Sequence, residues 1–345
     1  MRRTVKRLPG KFRRAGSQSR TSKPAREHSV SIIGAGRLGT ALGLALKTAG
    51  YKIEVVAAKR AAAADRAAKA FGPKTLALSA RQLSKLNPDQ HDRLNRCSLV
   101  FITTPDDIIA PVALQLSEIF APGISLSGDD QRRASLSSVV LHTSGALAAD
   151  VLEPMRRAGF ALGSLHPLVS ISESRSGAKL LARAFFSVEG DLAAIRIGKS
   201  IVKDLGGESF MLESTCKALY HAAALTVAPN MTALFEIAVD MLGVCGLSPG
   251  RARRILLPLM ASTVANLATQ NPARALTGTF QRGDAATVEK HLAALRSANL
   301  PQALTAYLVL GQRSLSMAKR RGANPAGLDR IARLLSRAAK SPGRP

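Results

Sequence analysis

Apolar positions in the first two hundred residues fall into short β-forming runs at 30–33, 53–57, 99–103, 139–142 and 161–165, separated by helix-like stretches. That alternation predicts a parallel, doubly wound α/β sheet. A further βαβ-like unit, read over 184–188, 192–205 and 209–212, closes a first domain spanning 29–212. From Glu213 the strand signals stop, and apolar residues spaced by three and four continue to Leu335, predicting an all-helical second domain over 213–335. Its longest apolar stretch, 222–245, is interrupted by Pro229, Asn230, Glu236 and Asp240. It reads as a buried helix, kinked or split at Pro229, and not as a membrane span. Two polar stretches, 79–96 and 122–138, read as surface insertions, and 336–345 as a basic fraying tail.

Composition changes this picture mainly through charge. The 345 residues carry a formal net charge of +26, of which +9 sits in residues 1–27, where ten Lys or Arg face one Glu. Residues 1–28 therefore read as a disordered basic tail, without the apolar core of a signal peptide. A solvated tail, a tether to nucleic acid or an anionic surface, and a transit peptide all remain open for it. Basic residues elsewhere lack interleaved aromatics for base stacking, which argues against specific nucleic-acid recognition. The expectation is a cytoplasmic protein without a membrane span. The widely spaced Cys97, Cys216 and Cys245 suggest neither a disulfide framework nor a metal site, two of them lying in apolar helix-like surroundings.

The sharpest candidate chemistry is V-S-I-I-G-A-G-R-L-G at 30–39, a strand-like run opening into a helix through three glycines. Gly34 permits the tight turn, Gly36 lets the backbone approach a pyrophosphate, and Gly39 lets the next helix pack closely. With Ala35, Arg37 and Leu38 between them, these residues would present helix N–H groups to the phosphates. An acid that holds the ribose 2′-hydroxyl of NAD is expected at the tip of the second strand, about 20 residues on. Lys59 and Arg60 stand there, so a 2′-phosphate and NADP are favoured over NAD. Two solvated surface cations are the alternative, and Glu54, inside the strand, is the competing acid. Thr103, Thr104 and Pro105 follow the strand at 99–103 and would line the same cofactor track. Asp106 and Asp107 read as acids of a helix's first turn.

The next strands end in His142-Thr143-Ser144-Gly145 and His166-Pro167-Leu168, so two histidines and a hydroxyl meet at one rim. A histidine there can pass a proton as hydride reaches carbon, hold a carboxylate, or be structural. In the helical half, Lys217 and His221 share a helix face beside Tyr220, and Asn230 follows. Arg282-Gly283-Asp284 could clamp a substrate carboxylate through Arg282, with Asp284 orienting it or capping the next helix. His291 reads as a packing residue.

These segments carry a likeness in their order as well as their content: I-I-G-A-G-R-L-G-T-A-L, T-T-P-D-D-I-I, L-H-T-S-G-A-L, G-S-L-H-P-L, F-F-S-V-E-G-D, L-Y-H-A-A-A with Asn230, and L-T-G-T-F-Q-R-G-D-A-A-T-V-E-K-H-L. The chain resembles the bacterial family that joins a Rossmann-like NADP-binding domain to a C-terminal helical domain of unknown function. That family looks related to pyrroline-5-carboxylate reductase, ketopantoate reductase and prephenate dehydrogenase; G-S-L-H-P-L followed by Gly177 is similar to a segment of the last. The resemblance implies a 6-phosphogluconate-dehydrogenase-like helical domain and a homodimer through it, and no known substrate. The chain departs from the pattern at Lys59-Arg60, where a small residue tends to precede the Arg, and at Thr279-Phe280, where Pro more often follows Gly278. The expectation is thus an NADP-dependent oxidoreductase acting on a small anionic carbonyl, imine or hydroxy acid. In it Ser144 and His166 lie near the nicotinamide, Lys217 or His221 handles the proton, and Arg282 holds the anion. A non-catalytic NADP(H) sensor or scaffold is the alternative.

Overall fold

The computed structural model describes residues 28–120 and 138–340. The expectations for the basic N-terminal residues 1–27, and for nearly all of the polar stretch 122–138, lie outside those residues. Two compact units divide between Ala222 and Ala223. The pattern of the sequence placed the change at 212, ten residues earlier; the structure keeps the first turns of the connecting helix with the sheet.

The first unit is built on eight strands: β1 (Ser29–Ile33), β2 (Lys52–Ala58), β3 (Leu76–Ser79), β4 (Leu99–Ile102), β5 (Val139–His142), β6 (Ala161–Leu168), β7 (Phe185–Gly190) and β8 (Glu208–Met211). They lie in the order β3-β2-β1-β4-β5-β6-β7-β8. All neighbours are parallel except β6 and β7. The first six follow the doubly wound order that reverses between β1 and β4, where such sheets bind ligands at their carboxyl edge.

The runs are apolar at nearly every position because both faces are covered. Alternate residues supply two cores: Val30, Ile32, Leu99, Phe101, Val139 and Leu141 on one side, and Ile33, Val100, Ile102 and Val140 on the other. The first core is closed by α1 (Arg37–Thr48), α2 (Ala61–Phe71) and, further along the chain, α7 (Leu192–Leu205). The second is closed by α5 (Asp106–Ile119) and the 3₁₀ segment Ala149–Ala158. The stretch 79–96 is not the plain surface insertion expected. It follows directly on β3 and forms two short helices, α3 (Ala80–Leu83) and α4 (Pro88–Asn95), each started by a capping box and burying Leu83 and Leu94. Helix α6 (Ser174–Leu181) lies beside α1, where Gly177 lets it approach Ala41.

Past the sheet, α8 (Lys217–Val227) connects the units and α9 (Pro229–Val244) follows it. The second unit continues with α10 (Pro249–Thr269), the short α11 (Pro272–Ala275) and α12 (Thr279–Arg282), and then α13 (Ala285–Ser297), α14 (Pro301–Arg320) and α15 (Pro325–Lys340). Its core joins Val288, Leu292 and Leu295 of α13 to Leu304 and Leu315 of α14 and to Leu328, Ile331 and Leu335 of α15. The spacing by three and four puts those residues on one face of each helix.

Four expectations need correction. The stretch 222–245 is split at Ala228, before Pro229, but it is not buried: of α9 only Val239 is. By length and composition Ser214–Val244 could cross a membrane. The tail over 336–340 is helical, because Ala338 packs into the core as the last buried position of α15. Cys97 is buried, but Cys216 and Cys245 are exposed. His291 is exposed, with Nδ1 2.9 Å from the Tyr307 hydroxyl.

Candidate active site

At the reversal point the glycine turn is latched to the end of β4. The Thr103 hydroxyl donates to Gly34 O at 2.6 Å, and Gly34 N–H donates to Ala57 O at 2.8 Å. Gly34 has φ +121°, open to glycine and strained for other residues. A Cβ on Gly39 would lie 2.0 Å from Gly34 O, so the close packing of α1 requires this glycine. Gly36 differs from both. Its backbone is extended, and a Cβ there would meet nothing within 4 Å. The fold does not need a glycine at 36; the open space in front of it is the cleft.

That cleft, about 980 Å³, is lined by Gly34, Ala35, Gly36, Lys59, Arg60, Thr103, Thr104 and Pro105 among others, all from the first unit. Arg37 and Leu38 open α1 beside it, Arg37 exposed. Lys59 and Arg60 are exposed at the tip of β2. Glu54, the competing acid, is buried within the strand and paired with Lys52 and with Arg93 at 3.6 Å. Asp106 and Asp107 form the first turn of α5, and Asp107 borders the cleft. The buried hydroxyl oxygen of Thr104 has no hydrogen-bond partner. An extended, side-chain-free backbone at Gly36, an unused hydroxyl at Thr104 and two cations at the far rim fit a phosphorylated dinucleotide.

A second cluster stands two strands further along the same edge. Ser164 pairs with His142, the last residue of β5, and β6 runs on past it. Antiparallel β7 supports that overhang, with His166 opposite Ser187 and Leu168 opposite Phe185. On β6, Ser164 and His166 share a face. Lys217, only 1% exposed, turns its ammonium onto that face, donating to Ser144 O at 3.1 Å and to the Ser164 hydroxyl at 2.5 Å. Desolvation lowers its pKa to about 8, against the opposing pull of Glu189 and Asp106. His166 Nδ1 is 2.7 Å from the Tyr220 hydroxyl. The His166 and His221 rings meet edge to face at 5.8 Å. Burial, then the Lys217 charge, then His221 lower the His166 pKa to about 4, so this imidazole is neutral at pH 7. A Cβ on Gly145 would lie 2.7 Å from His221 and 2.9 Å from His166 Nε2. The bare glycine is what leaves room there.

The structure thus brings Ser144, His166, Lys217 and His221 together. Ser144 serves there as a turn former. Its hydroxyl accepts from the Ala146 and Leu147 N–H groups at 3.1 and 3.0 Å, and its carbonyl receives Lys217. His142, at the same rim in the sequence, is structural: Nδ1 accepts from Ser144 N–H at 3.1 Å and Nε2 donates to Ala148 O at 3.1 Å. Burial holds its pKa down at about 3. Asn230 and Arg282 belong to the other unit, exposed at the start of α9 and the end of α12. Asp284 caps α13, accepting from the Thr287 N–H at 3.0 Å and hydroxyl at 2.7 Å. Three members of the cluster had no assigned part in the sequence reading. Ser164 could have been found from its i, i+2 spacing to His166, and Tyr220 from its place between Lys217 and His221. Glu189 carries no local signal; its carboxylate accepts from Ala149 N–H at 3.0 Å and its charge acts on Lys217. Among the described residues no His, Cys, Asp and Glu group could hold a metal ion.

Comparison with known proteins follows the same division. A family model described as a Rossmann-like domain matches residues 14–167, and one described as a domain of unknown function, DUF2520, matches 184–314. No curated protein matches the sequence. Among solved structures, a candidate NADP oxidoreductase from Bacteroides fragilis is similar over 84% of this chain and 98% of its own, with TM-score 0.64 and 19% identity. A Thermotoga maritima protein is similar over 90% and 98%, with TM-score 0.56 and 21% identity. A Streptomyces aurantiacus imine reductase covers 91% and 95%, with TM-score 0.51 and 16% identity. At these identities the likeness is one of fold. The two domain matches lie in that order along the chain, a Rossmann-like domain followed by a DUF2520 domain of unknown function.

Proposed function

We propose that the protein is an NADP-dependent oxidoreductase that reduces or oxidises a small anionic substrate. The observation that carries this reading is one sheet edge bearing both a phosphate-ready cleft at Gly36 and a buried, proton-bearing cluster at Lys217 and His166. Gly34 to Gly39 and Thr104 would hold the pyrophosphate side of the cofactor. Lys59 and Arg60 would hold the 2′-phosphate. The bound nicotinamide supplies or takes the hydride. The chain's own residues supply the rest: positive charge from Lys217 and a neutral imidazole at His166. The similar folds of a candidate NADP oxidoreductase and an imine reductase support the same class. Calorimetric titration with NADPH and NADH tests it: NADPH should bind more tightly, and substituting both Lys59 and Arg60 by Ala should erase the difference. Absence of NADPH binding would end the reading. Tight binding without hydride transfer across oxo acids and imines would favour a sensor.

The exposed apolar side chains of α9 and α10 support a homodimer through the helical unit. Leu257 and Leu259 are 60% and 65% exposed. A second copy of this chain is the cover we propose for them.

A further inference from the structure

Lys217 and His221 are the two expected proton handlers, but the Lys217 ammonium is turned into the protein. Two of its three N–H donors are spent on Ser144 O and the Ser164 hydroxyl, and 1% of the residue is exposed. The group that stands forward is His166. Its Nδ1 meets the Tyr220 hydroxyl at 2.7 Å, whereas its Nε2 has no hydrogen-bond partner among the described residues and adjoins the bare face of Gly145. In a phenol–imidazole pair the phenol is the stronger acid and the imidazole nitrogen the stronger base. The hydroxyl therefore donates to Nδ1, which fixes the proton of the neutral ring on Nε2.

We propose that Tyr220 and His166 form a two-step proton relay to a carbonyl oxygen, with Lys217 as the fixed positive charge behind it, and that the substrates are carbonyl compounds and not iminium ions. The inference rests on the oxidoreductase reading above. In the reductive direction the carbonyl carbon gains the hydride and the C=O π pair moves to oxygen. That oxygen takes the Nε2 proton and Nδ1 takes the Tyr220 proton; water then protonates Nε2 as the Nδ1 proton returns to the phenolate, which restores the starting tautomer. Atoms and charge balance, and the transfer to substrate itself requires no imidazolate or imidazolium. The Lys217 charge favours both the developing alkoxide and the transient phenolate. An iminium nitrogen has no lone pair to accept from Nε2–H, and it would bring a second positive charge toward Lys217.

Long-range ¹⁵N–¹H NMR of the protein without cofactor reads the tautomer directly. Wild type should show His166 with its proton on Nε2, and Tyr220→Phe should mix the two tautomers without loss of fold by circular dichroism. With NADPH, phenylpyruvate and pyruvate should be reduced in preference to pyrroline and dihydroisoquinoline. Tyr220→Phe should then lower kcat on the order of 10²–10⁴-fold with little change in KM. An Nδ1–H tautomer in wild type would overturn the relay, as would faster turnover of the cyclic imines, or NADPH bound with neither class reduced. Failure to bind NADPH is a separate result: it removes the oxidoreductase reading itself, whereas bound NADPH with imine turnover removes only the relay.

Discussion

Gly36 and Gly39 stand three residues apart for different reasons, and substitution should separate them. A Cβ at 39 would strike the backbone oxygen of Gly34 at 2.0 Å, so Gly39→Ala should cost about 1–3 kcal/mol of stability. At 36 the backbone is extended and the space is open. Gly36→Ala should leave the melting temperature unchanged and weaken NADPH binding by about tenfold or more, since the methyl stands where a phosphate is proposed to lie. Scanning fluorimetry with and without NADPH measures both. The division of the glycines, Gly34 and Gly39 for the fold and Gly36 for the ligand, was legible in the sequence; the Thr103 side chain that crowds Gly34 and Gly39 was not, because it stands at the end of β4, some seventy residues away. Ser144 shows the same limit. Its residue type and position at a strand end suggested chemistry, and only the two N–H groups donating to its hydroxyl reveal a turn.

Among the elements, the central parallel strands were legible because both their faces are buried, which leaves unbroken apolar runs. β3 was not: it is an edge strand of four residues, L-A-L-S, followed at once by a capped helix. The apolar stretch of α8 and α9 misled in another way, since its composition reports what covers it and not whether the same chain does. The turn that ends β5 makes its own prediction. His142 and His166 stay neutral in the fold, with pKa values of about 3 and about 4 against 6.5 when unfolded. Below pH 6.5 the unfolded chain binds protons that the native state refuses, so stability is present above that pH and is lost as pH falls toward 4. His142, fully buried, should contribute at most about 1.4 kcal/mol per pH unit in that window. Urea midpoints should fall from pH 7 to pH 5, and a flat profile would contradict this.

For the whole molecule, the exposed Val244, Ile255, Leu257 and Leu259 are the faces proposed above to meet a second copy. Light scattering should give about twice the chain's 36.3 kDa mass. Leu257→Glu combined with Leu259→Glu should yield a monomer that still binds NADPH, because the cleft at Gly36 is lined by the first unit alone. A wild-type monomer with those faces bare would refute the dimer. The sheet order also sets a length. From the tip of β2, with Lys59, to the overhang of β6, with His166, lie four inter-strand steps, about 19 Å. The edge is a ruler that an adenine nucleotide carrying the 2′-phosphate is too short to span. Such a fragment should compete with NADPH for the cleft while leaving the His166 ring resonances unmoved, whereas the complete cofactor should shift them.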